Sequence, residues 1–302
     1  MPFFSIIIPS FNRADVIEAT LKTVVQQSFT DWECIIVDDG STDHTKQIIE
    51  QMINLDDRIH YVYQENSERS VARNTGVNHA KGNYICFLDS DDEFNEEHLK
   101  TIFDEISALN FPEAMFFVNT NFRKDNQIIS GEFPKLTSNV LEYLIFNPIT
   151  PSRVCIHRKI VSELQFDPEI VIVEDLILWI KISFHYPIHQ IEKATVIYNI
   201  HDENSVNIKN NSGQKRLNGL LYFFSKYPNY KHQIPSKLRR FLIGDTHFGI
   251  MRYHLYCNQK WSAMKHLLVS IGYQRMHTQL KHKILVLIKI VLQIRIAEYQ
   301  KS

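Results

Sequence analysis

The feature that most restricts this chain is the alternation of its first hundred residues between short apolar runs and helical periods. "FSIIIP" (4–9) is a β-branched run closed by Pro9, and 16–27 follows with Ile17, Leu21, Val24 and Val25 at helical spacing. "ECIIVDD" (33–39) is a second strand, after which Ser41, Thr42 and Asp43 offer cap chemistry to a helix carrying Ile48, Ile49, Met52 and Ile53. "IHYVYQ" (59–64) predicts a third strand, 69–80 a helix ending at Lys81-Gly82, "NYICFLDSDD" (83–92) a fourth strand, and 96–109 a helix through Leu99, Ile102, Phe103, Ile106 and Leu109. Repeated βα units imply an α/β fold, a mostly parallel Rossmann-like sheet flanked by helices. Continuous apolar strands fit a sheet covered on both faces.

Beyond residue 110 the pattern loosens. "AMFFVN" (114–119) and "ATVIYNIH" (194–201) predict strands, 174–186 a helix, and "DENSVNIKNNSG" (202–213) a linker. The remainder is helical and basic, without internal repeats. The net charge of −1 hides a split: residues 1–209 hold 17 Lys/Arg against 32 Asp/Glu, residues 210–302 hold 16 against 2. An asymmetry of that size predicts two regions with different partners.

With 44% hydrophobic and 12% aromatic residues the chain is globular rather than disordered. No stretch reaches the ~18–20 apolar residues of a membrane span; the nearest, "ILVLIKIVLQIRIA" (284–297), is interrupted by Lys289 and Arg295. The apolar start at 3–8 lacks a basic flank, so no secretion signal is expected. Cys34, Cys86, Cys155 and Cys257 are far apart and lack zinc spacing, which predicts unpaired thiols in a reducing compartment. These observations together predict a cytoplasmic protein.

In parallel sheets ligands bind beyond the carboxyl ends of the strands. Here those ends carry Ser10–Arg13, Asp38-Asp39 and Asp89–Asp92. The Asp89-Ser90-Asp91-Asp92 cluster is the strongest signal. Hard carboxylate oxygens suit magnesium or manganese, which also take phosphate oxygens, although a solvated acidic turn has the same composition. Asp38-Asp39-Gly40 is weaker, since Asp and Gly are ordinary turn residues; a functional Asp there accepts a hydrogen bond from a nucleobase. Glu174-Asp175 opens a helix, where acids complement the dipole or supply a general base. His201 is a surface or core histidine, or a contact to a diphosphate or metal.

Taken together these residues resemble glycosyltransferase family 2, with the GT-A fold. The resemblance spans roughly residues 4–205. It rests on "SIIIPSFNRADVIEATLKTVVQQSFTDWECIIVDDGSTD" (5–43), "ARNTGVNHAKGNYICFLDSDD" (72–92), "FDPEIVIVEDLILWIKI" (166–182) and "YNIHDENSV" (198–206). It implies that Pro9, Phe11, Arg13, Asp39 and Arg73 bind the nucleotide, with Asp38 nearby. It implies that Asp91 ligates Mn2+ or Mg2+, that Asp89 contacts ribose or metal, and that Ser90 belongs to the same donor-binding turn. Asp175 is then the catalytic base, supported by Glu174, and His201 lies near the diphosphate. The implied reaction is inverting transfer from a nucleotide-diphosphate sugar, UDP-sugar by default, to a glycan or lipid-linked glycan hydroxyl in bacterial cell-surface polysaccharide assembly. The domains follow: 1–208 a GT-A catalytic domain (nucleotide-sugar binding about 1–110, acceptor side about 111–208), and 209–302 a basic helical C-terminal region. Three segments depart from the family pattern. Ser67, Glu68 and Arg69 fill a loop where relatives usually carry glycine, Val173 stands where glycine is common, and Asn199-Ile200 replaces an arginine.

Two other classes compete. A nucleotidyltransferase acting on a sugar phosphate would want a glycine-rich phosphate cradle after the first strand, and "IIIPSFNRADV" has none. A non-catalytic nucleotide-sugar-binding module would not need Asp89, Asp91 and Asp175 together. In the basic tail nothing resembles a nucleic-acid module. At about 100° per residue, His282, Lys289, Gln293 and Gln300 form one polar stripe on an otherwise Ile/Leu/Val-rich helix. Such a helix suits the surface of an anionic membrane, at the inner face; packing on the catalytic domain or in a homodimer is the alternative.

Overall fold

The computed structural model describes residues 1–125, 127–200, 211–273 and 285–286. The chain divides into two compact units, residues 1–168 with 174–201, and residues 169–173 with 202–302.

In the first unit, β1 (Phe4–Ser10), β2 (Trp32–Asp38), β3 (Ile59–Tyr63) and β4 (Tyr84–Phe87) pair in parallel in the order β3-β2-β1-β4. All seven residues of β1 and of β2 are buried. Successive side chains point to opposite faces, so Ile6, Ile8, Cys34 and Ile36 enter one core while Ile7, Ile35 and Val37 enter the other. On the first face pack α1 (Ile17–Val25), α2 (Thr45–Ile53) and α4 (His98–Ala108), through Ile17, Leu21, Ile49, Leu99 and Ile102. On the second pack α3 (Glu68–His79), α5 (Val140–Phe146), α6 (Arg158–Glu163) and α7 (Glu174–Ser183). Helix α3 comes so close to β1 that a Cβ at Gly76 would lie 2.4 Å from Ile7 Cγ2, so only glycine fits without a shift.

Beyond β4 the sheet becomes mixed. β8 (Val154–His157) runs antiparallel between β4 and β6 (Met115–Lys124), and β9 (Ile188–Asn199) is parallel to β6 with an irregularity at 118–120. The two-residue β5 (Glu93–Phe94) pairs with β9, and β7 (Gln127–Ser130) forms a hairpin with β6. β5, β7, β8, α5 and α6 were not expected from the sequence. Their runs are two to seven residues long, too short for either periodicity to register.

One expected strand is shorter than its apolar pattern. β4 stops at Phe87 rather than running through 92. Leu88 N–H still donates to Ile7 O (3.0 Å), and then Asp92 N–H closes a turn onto Asp89 O (3.0 Å). The four polar residues thus leave the sheet as a turn.

The second unit carries α8 (Ser212–Lys226), α9 (Pro228–Gln233), α10 (Ser236–Tyr256) and α11 (Lys260–Tyr273). Met251 of α10 packs on Ala263 and Leu267 of α11. The linker expected at 202–213 lies, up to residue 210, outside the described residues, and so does nearly all of the expected final amphipathic helix.

Candidate active site

The loops after β1 and β2 are stapled to each other. Asn12 N–H donates to Ser41 Oγ (2.9 Å), Thr42 N–H to Asn12 Oδ1 (2.8 Å), Arg13 N–H to Thr45 Oγ1 (2.8 Å) and Ala14 N–H to Asp43 Oδ2 (3.1 Å). Asn12 takes a left-handed φ of 51°, a conformation asparagine tolerates. These polar side chains therefore shape one rigid rim. Pro9 is buried in β1 opposite Val37, and Phe11 is 45% exposed on the rim.

Behind the rim Asp38 and Asp39 are both buried. Asp38 accepts from Tyr61 Oη (2.7 Å) and from Ser41 N–H (2.9 Å), so it fastens β3 and the β2 turn. Burial, and then the Asp38 contact, raise the Tyr61 hydroxyl above its ordinary range. Asp39 Oδ1 accepts from Gln64 Nε2 (2.6 Å) and Ser67 N–H (2.8 Å). Glu68, in the loop where the family resemblance leads one to expect glycine, has φ +72°. Glu68 thus holds the left-handed backbone that glycine adopts most readily.

The acidic turn splits its four residues between inside and outside. Ser152 Oγ accepts from Asp89 N–H (3.0 Å) and donates to Asp92 Oδ2 (2.7 Å). Thr20 Oγ1 donates to the carbonyls of Ser90 (3.0 Å) and Asp92 (2.9 Å), and Asn199 Nδ2 to the carbonyl of Asp91 (2.6 Å). Asp92 is buried, and burial, then the charge of Asp89, push its carboxyl well above the usual carboxylate range. Asp92 is thus an internal brace. Asp89 and Asp91 keep side chains 29% and 18% exposed.

Arg73 ties this turn to α7. Its guanidinium is 2% exposed; Nη2 donates to Asp89 Oδ1 (2.8 Å) and Nη1 to Glu174 Oε1 (3.2 Å), over the Phe166 ring. Burial alone would lower the Arg73 pKa, but the charges of Asp89 and Glu174 outweigh it and the result lies above the ordinary value. Arg69 Nε adds a second cation 3.4 Å from Glu174 Oε1. Asp175 follows Glu174, with Oδ1 accepting from Leu176 N–H (2.6 Å). Burial, then the adjacent Glu174 charge, push Asp175 up to about 7. A carboxyl that loses its proton near neutrality suits general-base catalysis.

Asp89, Asp91, Arg13, Arg73, Glu174 and Asp175 therefore belong to one edge of the sheet, with Asp38 and Asp39 at the neighbouring strand end and Arg13 Nη2 3.8 Å from Asp91 Oδ2. Ser90 is buried, its carbonyl held by Thr20. Arg73, which the resemblance places among nucleotide ligands, has both terminal nitrogens engaged by carboxylates here. His201 lies outside the described residues. Sequence reasoning assigned no role to Ser152, Thr20 or Arg69. Nothing local distinguishes Ser152 or Thr20 from other hydroxyl residues; their partners are 60 to 72 positions away. Asn199, noted as a departure from the family pattern, holds the Asp91 carbonyl and sits beside the Arg123–Glu93 ion pair.

For a divalent ion the donor set fits. Asp91 and Asp89 offer hard oxygens in one turn. Magnesium or manganese binds through one or two carboxylates and completes its shell with phosphate oxygens and water. Among the described residues no preassembled group of three or more such ligands is found.

The sequence model of glycosyl transferase family 2 matches residues 5–159. The putative teichuronic acid biosynthesis glycosyltransferase TuaG of Bacillus subtilis is 37% identical over 187 residues, 60% of this chain and 72% of the relative. The GalNAc(5)-diNAcBac-PP-undecaprenol beta-1,3-glucosyltransferase of Campylobacter jejuni is 35% identical over 135 residues, 44% of this chain and 42% of the relative. Among solved structures, TarS 1-349 of S. aureus in complex with UDP superposes with a TM-score of 0.57 at 19% identity, covering 91% of this chain and 89% of that one. This likeness carries the GT-A fold alone.

Proposed function

This chain belongs to glycosyl transferase family 2, and from that premise we propose that it is an inverting, metal-dependent enzyme moving a sugar from a UDP-sugar to a hydroxyl of a glycan or lipid-linked glycan acceptor. The observation that carries this reading is the Arg73 bridge. One buried guanidinium joins Asp89 of the acidic turn to Glu174, the neighbour of Asp175. Donor-side and base-side carboxylates are thereby held in one network.

Arg13, Phe11 and Asp39 line the nucleotide side, and the stapled rim keeps them in place before any ligand arrives. Asp91 and Asp89 would hold manganese or magnesium, whose chemistry when bound is charge neutralisation on a departing diphosphate. Asp175 removes the proton from the acceptor hydroxyl as its oxygen attacks the anomeric carbon. Glu174, clamped by Arg73 and Arg69, stands beside that carboxylate, and burial, then the Glu174 charge, keep its pKa high. Attack opposite the leaving diphosphate inverts configuration in one displacement, and no nucleophilic side chain is required. A relative with a lipid-diphosphate acceptor in its name and another named for teichuronic acid synthesis support polysaccharide assembly as the setting.

The test is Asp175→Asn, which keeps size and removes the proton acceptor. Turnover is expected to fall by about 10²-fold or more, while calorimetry shows UDP binding within about twofold of wild type. Near-wild-type turnover would clear Asp175 of the role.

No helix among the described residues is long and apolar enough to cross a membrane. The 16 Lys/Arg against 2 Asp/Glu in 210–302 support attachment to an anionic bilayer surface. Flotation with anionic vesicles that weakens with salt is the expected result; equal failure with anionic and neutral vesicles would refute it.

A further inference from the structure

The helical unit holds a cavity that the transfer chemistry above does not use. Its volume is about 250 Å3, and its wall includes Arg216 of α8, Asp245, Gly249, Arg252 and Tyr253 of α10, and Ile172. Its charge is lopsided: two arginines face one acid, and Asp245 is the sole Asp or Glu between residues 210 and 297.

Three observations point to an anion as occupant. First, Arg216 is under-satisfied. Its Nη1 meets Asp245 Oδ2 at 3.4 Å, while its Nε is buried with no hydrogen-bond partner among the described residues. A guanidinium carries five donors, and a buried donor left without an acceptor costs about 1–3 kcal/mol. Second, Arg252 on the same wall has no hydrogen bond or ion pair among the described residues. Third, Gly249 stands inside the 21-residue α10, where glycine costs about 1 kcal/mol relative to alanine. A Cβ there would meet nothing within 4 Å, so no neighbouring atom demands glycine. The space above the helix at this point is open among the described residues.

Ile172, on the wall of this cavity, has a strained backbone. It has φ +79°, a left-handed backbone that a β-branched residue rarely adopts, and it stands three residues before Asp175 in the chain. Strain of this kind gathers at ligand clamps and active sites.

We propose that this cavity is a phosphate-binding site, taking a phosphate or diphosphate group through Arg216 and Arg252, with the Tyr253 hydroxyl as a further donor. The planar donor fork of arginine matches phosphate oxygens in pairs. That the phosphate belongs to an acceptor rests on the glycosyltransferase reading; that the cavity binds phosphate does not.

The experiment uses the full chain with UDP and manganese saturating, so that the donor site is filled. Inorganic pyrophosphate is titrated by calorimetry at low salt into wild type, into the double variant Arg216→Gln/Arg252→Gln, and into Gly249→Leu, which fills the space and keeps both charges. Thermal melts confirm that each variant is folded. Binding at one site in wild type, weakened at least tenfold in both variants, is the expected result. No binding to wild type, or equal binding in all three, would overturn the proposal. A parallel arm presents farnesyl diphosphate in neutral vesicles: tenfold tighter binding than pyrophosphate assigns the site to a lipid-linked acceptor, equal binding to a soluble phosphorylated one. Asp175→Asn serves as the independent control. It is expected to bind pyrophosphate like wild type, so loss of the anion site and failure of the catalytic assignment give different results.

Discussion

The two edges of the parallel sheet hold carboxylates in opposite ways. At the amino edge, Glu33 Oε1 accepts from Ser5 Oγ (2.5 Å), Lys81 N–H (2.6 Å) and Gly82 N–H (3.3 Å). Those donors are a neutral hydroxyl on β1 and backbone amides just before β4, and the His60 imidazole lies 3.9 Å from Glu33 Oε2. At the carboxyl edge, Asp89 and Glu174 share the buried Arg73, and Asp91 stands 3.8 Å from Arg13. There the partners are cations on side chains, and Asp175 beside them is pushed up to about 7. A carboxylate satisfied by backbone is a rivet, since its donors have nowhere else to go. A carboxylate satisfied by side-chain charge is poised, since a phosphate or metal can take over one partner without unfolding a strand. One sheet thus separates a structural use of buried acid from a chemical one.

Four changes would break or sharpen this contrast. The largest effect is expected at the carboxyl edge. Arg73→Leu leaves two carboxylates without their shared cation, and removing one member of a buried pair costs about 3–5 kcal/mol. Urea unfolding should show that loss, and whatever folded enzyme remains should be inactive. At the amino edge, Glu33→Gln keeps the shape but places an amide among donors. A loss of about 1–3 kcal/mol is expected for the contacts it fails to make, with turnover per folded molecule unchanged. Loss of turnover in folded Glu33→Gln would mean that the two edges are not separable.

The pH dependence comes next. As the proposed base, Asp175 would act only when ionised, so turnover should rise with pH through about 7 and fall about tenfold per unit below it. Asp175→Asn should lack that limb. The same shift acts on stability with a definite sign. A carboxyl whose pKa is raised by folding contributes stability below its unfolded pKa, and that contribution is lost as pH rises through about 7. The melting temperature of Asp175→Asn relative to wild type should therefore climb from about pH 4 to about pH 8. An unchanged difference would remove the burial argument for this group. The smallest effect belongs to Glu68, held at φ +72°. Glu68→Gly relieves a left-handed residue but loosens the unfolded chain, so a net change within about 1 kcal/mol is expected from the opposing terms.

Much of the catalytic frame was legible in the sequence. "FSIIIP", "ECIIVDD" and "IHYVYQ" carry enough β-branched and aromatic residues to announce strands, and the carboxyl ends of such strands are where a ligand sits. The acidic turn, the Asp38-Asp39 pair and the Glu174-Asp175 pair were visible as local clusters. The short antiparallel β8 was not. "VCIH" resembles many buried tetrapeptides, and only insertion between β4 and β6 makes it a strand. The end of β4 was also misplaced, because the apolar run through Leu88 continues past the point where the backbone turns onto Ile7 O. In the helical unit, charge composition was plain, whereas the cavity beside Arg216 depends on how α8 and α10 approach each other.

By itself the sequence determined the α/β frame, the place of the acidic residues at strand ends, and the contrast of charge between the two regions. These follow from periodicity and composition, which are local properties of the chain. Only the tertiary structure decided what each acid does. Asp92 turns inward because Ser152 reaches it from 60 positions away, Asp91 is held by Asn199 from 108 away, and Arg73 meets Glu174 from 101 away. Burial and charge pairing set a carboxyl's protonation and its freedom to bind, and both are supplied by residues that only folding brings near.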